Sequence, residues 1–143
     1  MSLLIIPFFL QGGAMFVDEF YFHHKRGLPR WEKIGHPLDT ITVLTCYLFL
    51  LFSSVSETKI ILYSALALFS CLFVTKDEFI HAKECSPGEQ WLHALLFILH
   101  PIILGLAGWM WFQQTERTFL LGQTLITAIF LFYQIIYWSL RHE

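Results

Sequence analysis

The stretch from Asp18 to Asp39 reads DEFYFHHKRGLPRWEKIGHPLD, and it decides the fold because it is a short polar segment between two apolar ones. Residues 2–17 before it and 40–54 after it contain no Lys, Arg, Asp or Glu. A helix that crosses a bilayer needs about 20 mostly apolar residues. Two such runs joined by a Gly-Leu-Pro turn at 27–29 predict a helical hairpin in a membrane.

The same criterion, applied outward from this hairpin, predicts an all-α polytopic membrane protein with five transmembrane helices. Their predicted limits are Ser2–His24, Pro37–Ser54, Thr58–His81, Pro87–Phe112 and Thr118–Leu140. No alternating pattern indicates strands, and helices are the remaining way to satisfy the backbone in lipid. We expect the first helix to be retained rather than removed as a signal peptide, because no basic segment precedes it.

The composition agrees with a membrane protein of one domain, 1–143. Of the 143 residues, 56% are hydrophobic and only 14% are charged, whereas soluble domains carry about 25% charged residues. This composition excludes a disordered chain and a disulfide scaffold, and the net charge of −2 gives no basic field for nucleic acid. Cys46, Cys71 and Cys85 lack metal-site spacing and are interpreted as small apolar residues or free thiols.

The distribution of Lys and Arg predicts the orientation. Seven basic residues fall at the end of the bundle that holds the 18–39 turn, and two fall at the other end. The first group is Lys25, Arg26, Arg30, Lys33, Lys76, Lys83 and Arg141; the second is Lys59 and Arg117. The positive-inside rule then places the 18–39 turn and the C-terminus in the cytoplasm and the N-terminus outside.

The chain has seven histidines, and all of them fall in the predicted cytoplasmic half. Ionisable groups in membrane segments usually mark function. Four predicted helix ends pair a carboxylate with an imidazole three or four residues away, which places both on one helix face. The pairs are Glu19–His23, His36–Asp39, Glu78–His81 and Glu89–His93. In an up-down bundle the four pairs converge at one level, which predicts a metal site there.

An internal duplication explains why the pairs agree in depth. The corresponding segments are FVDEF at 16–20 with FV at 73–74 and DEF at 77–79 after two inserted residues, Trp31 with Trp91, and His36 with His93. We therefore expect repeat 1 (about 1–56) and repeat 2 (about 57–113) to form a pseudo-two-fold four-helix bundle, with a fifth helix at about 117–141 beside it.

Some candidate ligands also have structural interpretations. Glu89 can complete a capping box with Ser86, and Asp39 can complement the dipole at a helix start. Further roles are assigned to residues beside the pairs. Asp18, Asp77 and His100 are predicted to support the ligands from outside the metal's own shell, while His24 and His142 are predicted to be solvated. The Glu32–His36 spacing receives no weight, because Pro29, Gly35 and Pro37 predict a break in the helix.

The segment 18–39 resembles small bacterial integral membrane proteins of unknown function, and that resemblance implies the bacterial inner membrane. The acid-histidine pairs resemble those of membrane di-iron desaturases and hydroxylases, and Glu78-Phe-Ile-His81 has their Glu-x-x-His form. This resemblance implies a lipid-like or alkane substrate. The acid-histidine pairs are also similar in kind to the sites of ceramidase-like membrane zinc hydrolases, which hold zinc with His and Asp at helix ends.

The sequence therefore predicts two transition-metal ions at the cytoplasmic end, with iron favoured and zinc or manganese as alternatives. The favoured hypothesis is a di-iron oxidoreductase that acts on a lipid-like substrate and takes electrons from an external donor. The alternatives are a zinc-dependent membrane lipid hydrolase and a non-enzymatic metal-binding, transport or sensor protein. Membrane lipids are the expected partners, and nucleic acid is not expected. No phosphate-binding glycine loop, zincin motif or nucleophile elbow is present in the sequence.

Overall fold

The computed structural model describes residues 3–140, apart from the side chains of Asp77, Ser139 and Leu140. The described chain is mostly helical, with no strand. It has five helices that are long and apolar enough to span a membrane. We name them α1 (Leu3–Arg26), α2 (Arg30–Phe52), α3 (Glu57–Glu84), α4 (Pro87–Phe112) and α5 (Arg117–Trp138). Connections of two to four residues join them, so that the helices alternate in direction.

The start of α2 differs from its prediction. The helix begins at Arg30 rather than Pro37, and Pro37 lies inside it. A proline in a helix removes one backbone hydrogen bond, yet tertiary contacts hold the preceding segment helical. Glu32 in that segment is fully buried and ion-paired with Arg26. The predicted break was therefore wrong, because local propensity yields to these contacts.

Local sequence signals fix the starts of α3 and α4. Ser56 caps α3, since its side chain accepts a hydrogen bond from the backbone N–H of Lys59. At α4 the predicted capping box of Ser86 and Glu89 is confirmed, with Pro87 at the first helical position. The capping box allows α4 to begin only two residues after α3 ends, so the chain reverses sharply there.

Helix α2 is central, because it packs against α3, α4 and α5, while α1 packs against α4. An apolar core fills the end away from the 18–39 turn and includes Phe8, Cys46, Tyr47, Leu104 and Met110. Large apolar side chains also cover the outside. Examples are Leu3 at 82% exposure, Phe52 at 84% and Leu72 at 64%. An apolar exterior of this kind is typical of a protein surrounded by lipid.

The opposite end of the bundle is polar inside. We call it the histidine end, and define it by the ends of α1 and α3 at Arg26 and Glu84 and the starts of α2 and α4 at Arg30 and Pro87. Many charged and imidazole side chains are buried there, beside a few apolar ones such as Leu28 and Cys85. The buried charged and imidazole side chains include Asp18, Glu19, His23, Glu32, His81, Glu89 and His93.

Candidate metal centre

Four histidines, one from each of α1 to α4, meet at the histidine end. Their ring centroids form a closed quadrilateral: 4.7 Å from His23 to His36, 6.4 Å from His36 to His81, 4.2 Å from His81 to His93 and 6.3 Å from His93 to His23. His23, His81 and His93 are buried, and His36 is half-buried. We call these four side chains the histidine cluster.

The two acidic residues of α1 reach the cluster through a π-helical turn at Asp18–His23. In an α-helix, Glu19 shares a face with His23, four residues later. The i to i+5 repeat of the π-turn also brings Asp18, five residues before His23, alongside it, so both carboxylates face His23. Asp18 Oδ2 lies 3.3 Å from His23 Nε2, and Glu19 Oε2 lies 3.5 Å from His23 Nδ1. Asp18 Oδ1 is also 3.0 Å from His93 Nε2, which joins α1 to α4. Turns of this kind occur often at functional sites.

Two further carboxylates share a single arginine. The Nη2 of Arg26 donates to Glu32 Oε2 at 2.8 Å and to Glu89 Oε1 at 3.0 Å. Both carboxylates are almost completely buried, and the other oxygen of Glu32 lies 3.6 Å from His81 Nε2. Arg26 therefore links α1, α2 and α4 beside the histidine cluster and holds two carboxylates at its edge.

The structure brings some predicted ligands together and separates others. Glu19, His23, His36, His81, Glu89 and His93 share the site. Asp39 instead forms an ion pair with Lys76, whose Nζ is 2.7 Å from both carboxylate oxygens. The Glu78 side chain is 55% exposed, with Oε2 3.9 Å from His81 Nδ1.

The supporting residues divide in a similar way. Asp18 contacts two histidines of the cluster, which suits the predicted supporting role and also places it close enough to be a ligand. His100 is buried deeper on α4, where its Nε2 is 3.0 Å from Ser70 Oγ. His24 is exposed, as predicted, and bonds the Tyr133 hydroxyl at 2.9 Å. The Asp77 side chain and the whole of His142 lie outside the described residues.

Sequence reasoning missed three residues of this site. Glu32 was discounted, although its four-residue spacing to His36 was visible in the sequence. Cys85 lies close enough to His81 and His93 to share a metal with them, and burial, reinforced by the Glu89 carboxylate, raises the pKa of its thiol to about 12. Trp138 donates a hydrogen bond from its indole N–H to Glu19 Oε1, and no spacing signals that contact between distant helices.

The donor atoms fit metal ions. Several overlapping sets of three or four residues have ligand atoms that all lie within 4.8 Å of one another. Two of these sets have no residue in common: Asp18, His23, Glu89 and His93, and Glu32, His36 and His81. Glu19 joins His23 and His36 in another set. Two ions could therefore be held side by side, with nitrogen and oxygen ligands for each.

The burial of His23 without hydrogen-bond partners among the side chains that the structure describes supports metal binding at this site. The side chain is 1% exposed, and neither ring nitrogen has a hydrogen-bond partner of acceptable geometry among the described residues. A buried polar atom without a partner costs about 1–3 kcal/mol. Asp18 and Glu19, the nearest carboxylates, face imidazoles and an indole N–H rather than a Lys or Arg in the described part of the chain. A cation among these groups would bind the His23 nitrogen and would also neutralise the carboxylates of Asp18 and Glu19.

A cavity of about 340 Å³ adjoins the histidine cluster. Asp18, Glu19 and the four histidines of the cluster line its polar end. From there it continues between the helices to Phe8, Tyr47 and Ile103. Its size falls within the ~300–1,000 Å³ typical of ligand pockets.

Comparison with protein-family models, with curated proteins and with solved structures finds no match to this chain. Function is therefore argued from the geometry of the site itself.

Proposed function

We propose that this protein is a membrane-embedded metalloprotein with a binuclear centre at the histidine end. The observation that carries the proposal is the histidine cluster, in which each of four helices contributes one imidazole beside buried carboxylates. In this proposal Asp18, His23, Glu89 and His93 hold one ion, and Glu32, His36 and His81 hold the other. Glu19 lies close to His23 and His36 and would complete the shell.

Iron is the metal that we favour. Imidazole and carboxylate ligands suit iron, manganese and zinc. Di-iron carboxylate proteins likewise build their centres from Glu and His on facing helices of a four-helix bundle. The arrangement here has the same donor types, with a larger share of imidazole.

We further propose an oxidoreductase that acts on a lipid-like substrate. The cavity supports this, because it joins the histidine cluster to the apolar interior of the bundle. A bound iron pair would supply oxygen chemistry, and an external donor would supply the electrons. The chain's own residues would bind the metals, exclude water and orient the substrate.

A zinc-dependent lipid hydrolase is the second candidate, and one observation favours it. The histidine cluster lies near the ends of helices that are long enough to span a bilayer, and in a membrane this end would lie close to the headgroup region. Metal-bound water at a zinc site is a competent nucleophile near neutral pH. The identity of the bound metal separates the two candidates.

The proposed location is a bacterial inner membrane, with the histidine end in the cytoplasm and the two hairpins related by internal duplication. Single cysteines at exposed Ser54 and Ser86, in a chain without its native cysteines, test the orientation. In intact spheroplasts an impermeant maleimide should label Ser54→Cys and not Ser86→Cys. The reverse pattern would overturn the orientation and leave the metal centre unaffected.

Metal analysis of purified protein tests the centre directly. His23 and His24 are adjacent, but only His23 belongs to the cluster, so His24→Ala is the matched control. We expect about two metal equivalents in the wild type and in His24→Ala, as in other binuclear bundles, with a large loss in His23→Ala. Anomalous scattering then identifies the element.

Circular dichroism and elution volume establish that the His23→Ala chain is folded. Less than about half an equivalent in wild-type protein, after growth with iron, zinc and manganese, would contradict a binuclear centre. Equal metal content in the two alanine variants would contradict the assignment of the cluster as its ligands.

A further inference from the structure

The cavity beside the histidine cluster is long and follows the helix axes. On α4 it runs from His93 to Ile103, and on α2 from His36 to Tyr47. At about 1.5 Å per residue, each of these stretches spans roughly 15 Å. The cavity therefore reaches from the histidine end towards the middle of the bundle, and its shape suits an extended chain.

The exposed residues among those that line the cavity all lie on α1 and α5, which indicates an opening between these two helices. The two helices run in the same direction and contact each other at two levels, where Phe8 packs on Phe119 with ring centroids 5.0 Å apart and Phe20 packs on Tyr133 at 5.2 Å. Between these levels the cavity wall includes Gly12. A Cβ atom added at Gly12 would meet nothing within 4 Å.

Side chains at the rim of this opening face outward. Phe16 on α1 and Ile126 on α5 line the cavity, and each is 62% exposed. On a helix that spans a bilayer, such exposed apolar side chains meet lipid. The opening therefore connects the cavity with the hydrocarbon region of the membrane.

The inner wall also carries a polar group that lacks a partner. Gln11 lines the cavity and is 6% exposed, and its Oε1 has no hydrogen-bond partner among the described residues. A buried acceptor in this condition indicates a donor. An alkyl chain has none, so a water beside the chain would supply the donor at this level of the cavity.

We propose that the cavity binds one acyl or alkyl chain of a bilayer amphiphile, which enters sideways between α1 and α5. The polar end of the amphiphile lies at the histidine cluster and the tail points towards the middle of the bundle, because headgroups lie at the bilayer surface. The reacting carbons are then those next to the polar end, not those in the middle of the chain. This deepens the proposed function and rests on it for the reaction.

Photoreactive fatty acids test the binding in purified protein reconstituted into nanodiscs. Gly12 and Gly13 are adjacent, exposed and open, but only Gly12 lines the cavity. Gly12→Trp should fill the opening and lower the labelling of cavity residues about tenfold, equivalent to ~1.4 kcal/mol. Gly13→Trp should be labelled as the wild type is. Equal labelling in both variants would overturn the proposal.

The position of the photoreactive group tests the orientation of the chain. A diazirine next to the carboxyl group should mark residues beside the cluster, such as Leu96, and one at the methyl end should mark Phe8 or Ile103. The opposite pattern would overturn the orientation. Metal content is measured on the same samples. Labelling that depends on Gly12 in a protein without metal would support the chain site and overturn the proposed function.

Discussion

The two acid-histidine segments, Asp18–His23 on α1 and Asp77–His81 on α3, have similar sequences and different geometries. On α1 the segment is a π-helical turn, and the Glu19 side chain is 2% exposed. On α3 a tighter 3₁₀ turn at Val74–Asp77 precedes Glu78, whose side chain is 55% exposed. Both segments still deliver a histidine to the cluster.

The spacing and the local backbone differ between the two segments. Glu19 precedes His23 by four residues, whereas Glu78 precedes His81 by three. The π-turn on α1 also brings Asp18, five residues before His23, onto the face of that histidine. On α3, Lys76 in the 3₁₀ turn pairs with Asp39 beside the cluster. The comparison teaches that similar residue types do not guarantee similar roles, because the local helix geometry decides which side chain faces inward.

The largest effect that we expect separates two groups of ion pairs, one with fully buried carboxylates and one with a partly exposed carboxylate. Arg26→Gln leaves two buried carboxylates, Glu32 and Glu89, without their shared guanidinium. Loss of one partner of a buried pair costs about 3–5 kcal/mol. Because Arg26 is 17% exposed, we expect about 3 kcal/mol less stability, measured by denaturation in detergent with a chelator present.

Lys76→Gln is the matched change at an ion pair whose carboxylate is partly exposed. Asp39 is 21% exposed and can regain water, so the loss of stability should be at most about half of that in Arg26→Gln. Equal losses in the two variants would show that burial of the carboxylates does not set the size of the effect.

A smaller effect separates the two glutamates. Glu19→Gln removes a carboxylate in contact with His23 and should weaken metal binding at least about a hundredfold, the upper end for an outer-shell partner. Glu78→Gln should change it less than about threefold, because the exposed side chain is largely hydrated. Competition with a chelator of known affinity measures both. A greater loss in Glu78→Gln would show that metal binding rotates the α3 segment inward.

The smallest expected effect concerns the hydrogen bond from Trp138 that holds Glu19 in place. Trp138→Phe removes the hydrogen bond to Glu19 and keeps an aromatic ring, so metal affinity should fall about tenfold. Trp91→Phe is the control, since Trp91 is 71% exposed on α4 of the second hairpin. Unchanged metal affinity in Trp138→Phe would show that the hydrogen bond from α5 does not support Glu19 in metal binding.

The sequence was sufficient for the five helices and for the level at which the histidines gather. Long apolar runs bounded by charged turns predict the spans directly, and the limits of α4 were predicted as Pro87–Phe112. The four histidines of the cluster were predicted from helical spacing to an acid. Both signals depend only on residues that are close in sequence, so they can be recognised without knowing how the helices pack.

The remaining features depend on geometry that spacing does not encode. The π-turn that brings Asp18 inward has no sequence signature, and neither does the contact of Trp138 with Glu19. Arg26 was read only as a charge that orients the chain, although it also binds Glu32 and Glu89. The pseudo-two-fold relation of the hairpins and the single-domain assignment stay predictions.

The supply of one imidazole by each of α1 to α4 has a consequence for biogenesis. A chain is synthesised from its N-terminus, so the helices leave the ribosome in order. Until α4 is inserted, His93 and Glu89 are missing and the quadrilateral is open on one side. A stalled or truncated chain would therefore expose an incomplete set of ligands, and the finished cluster marks a correctly assembled protein.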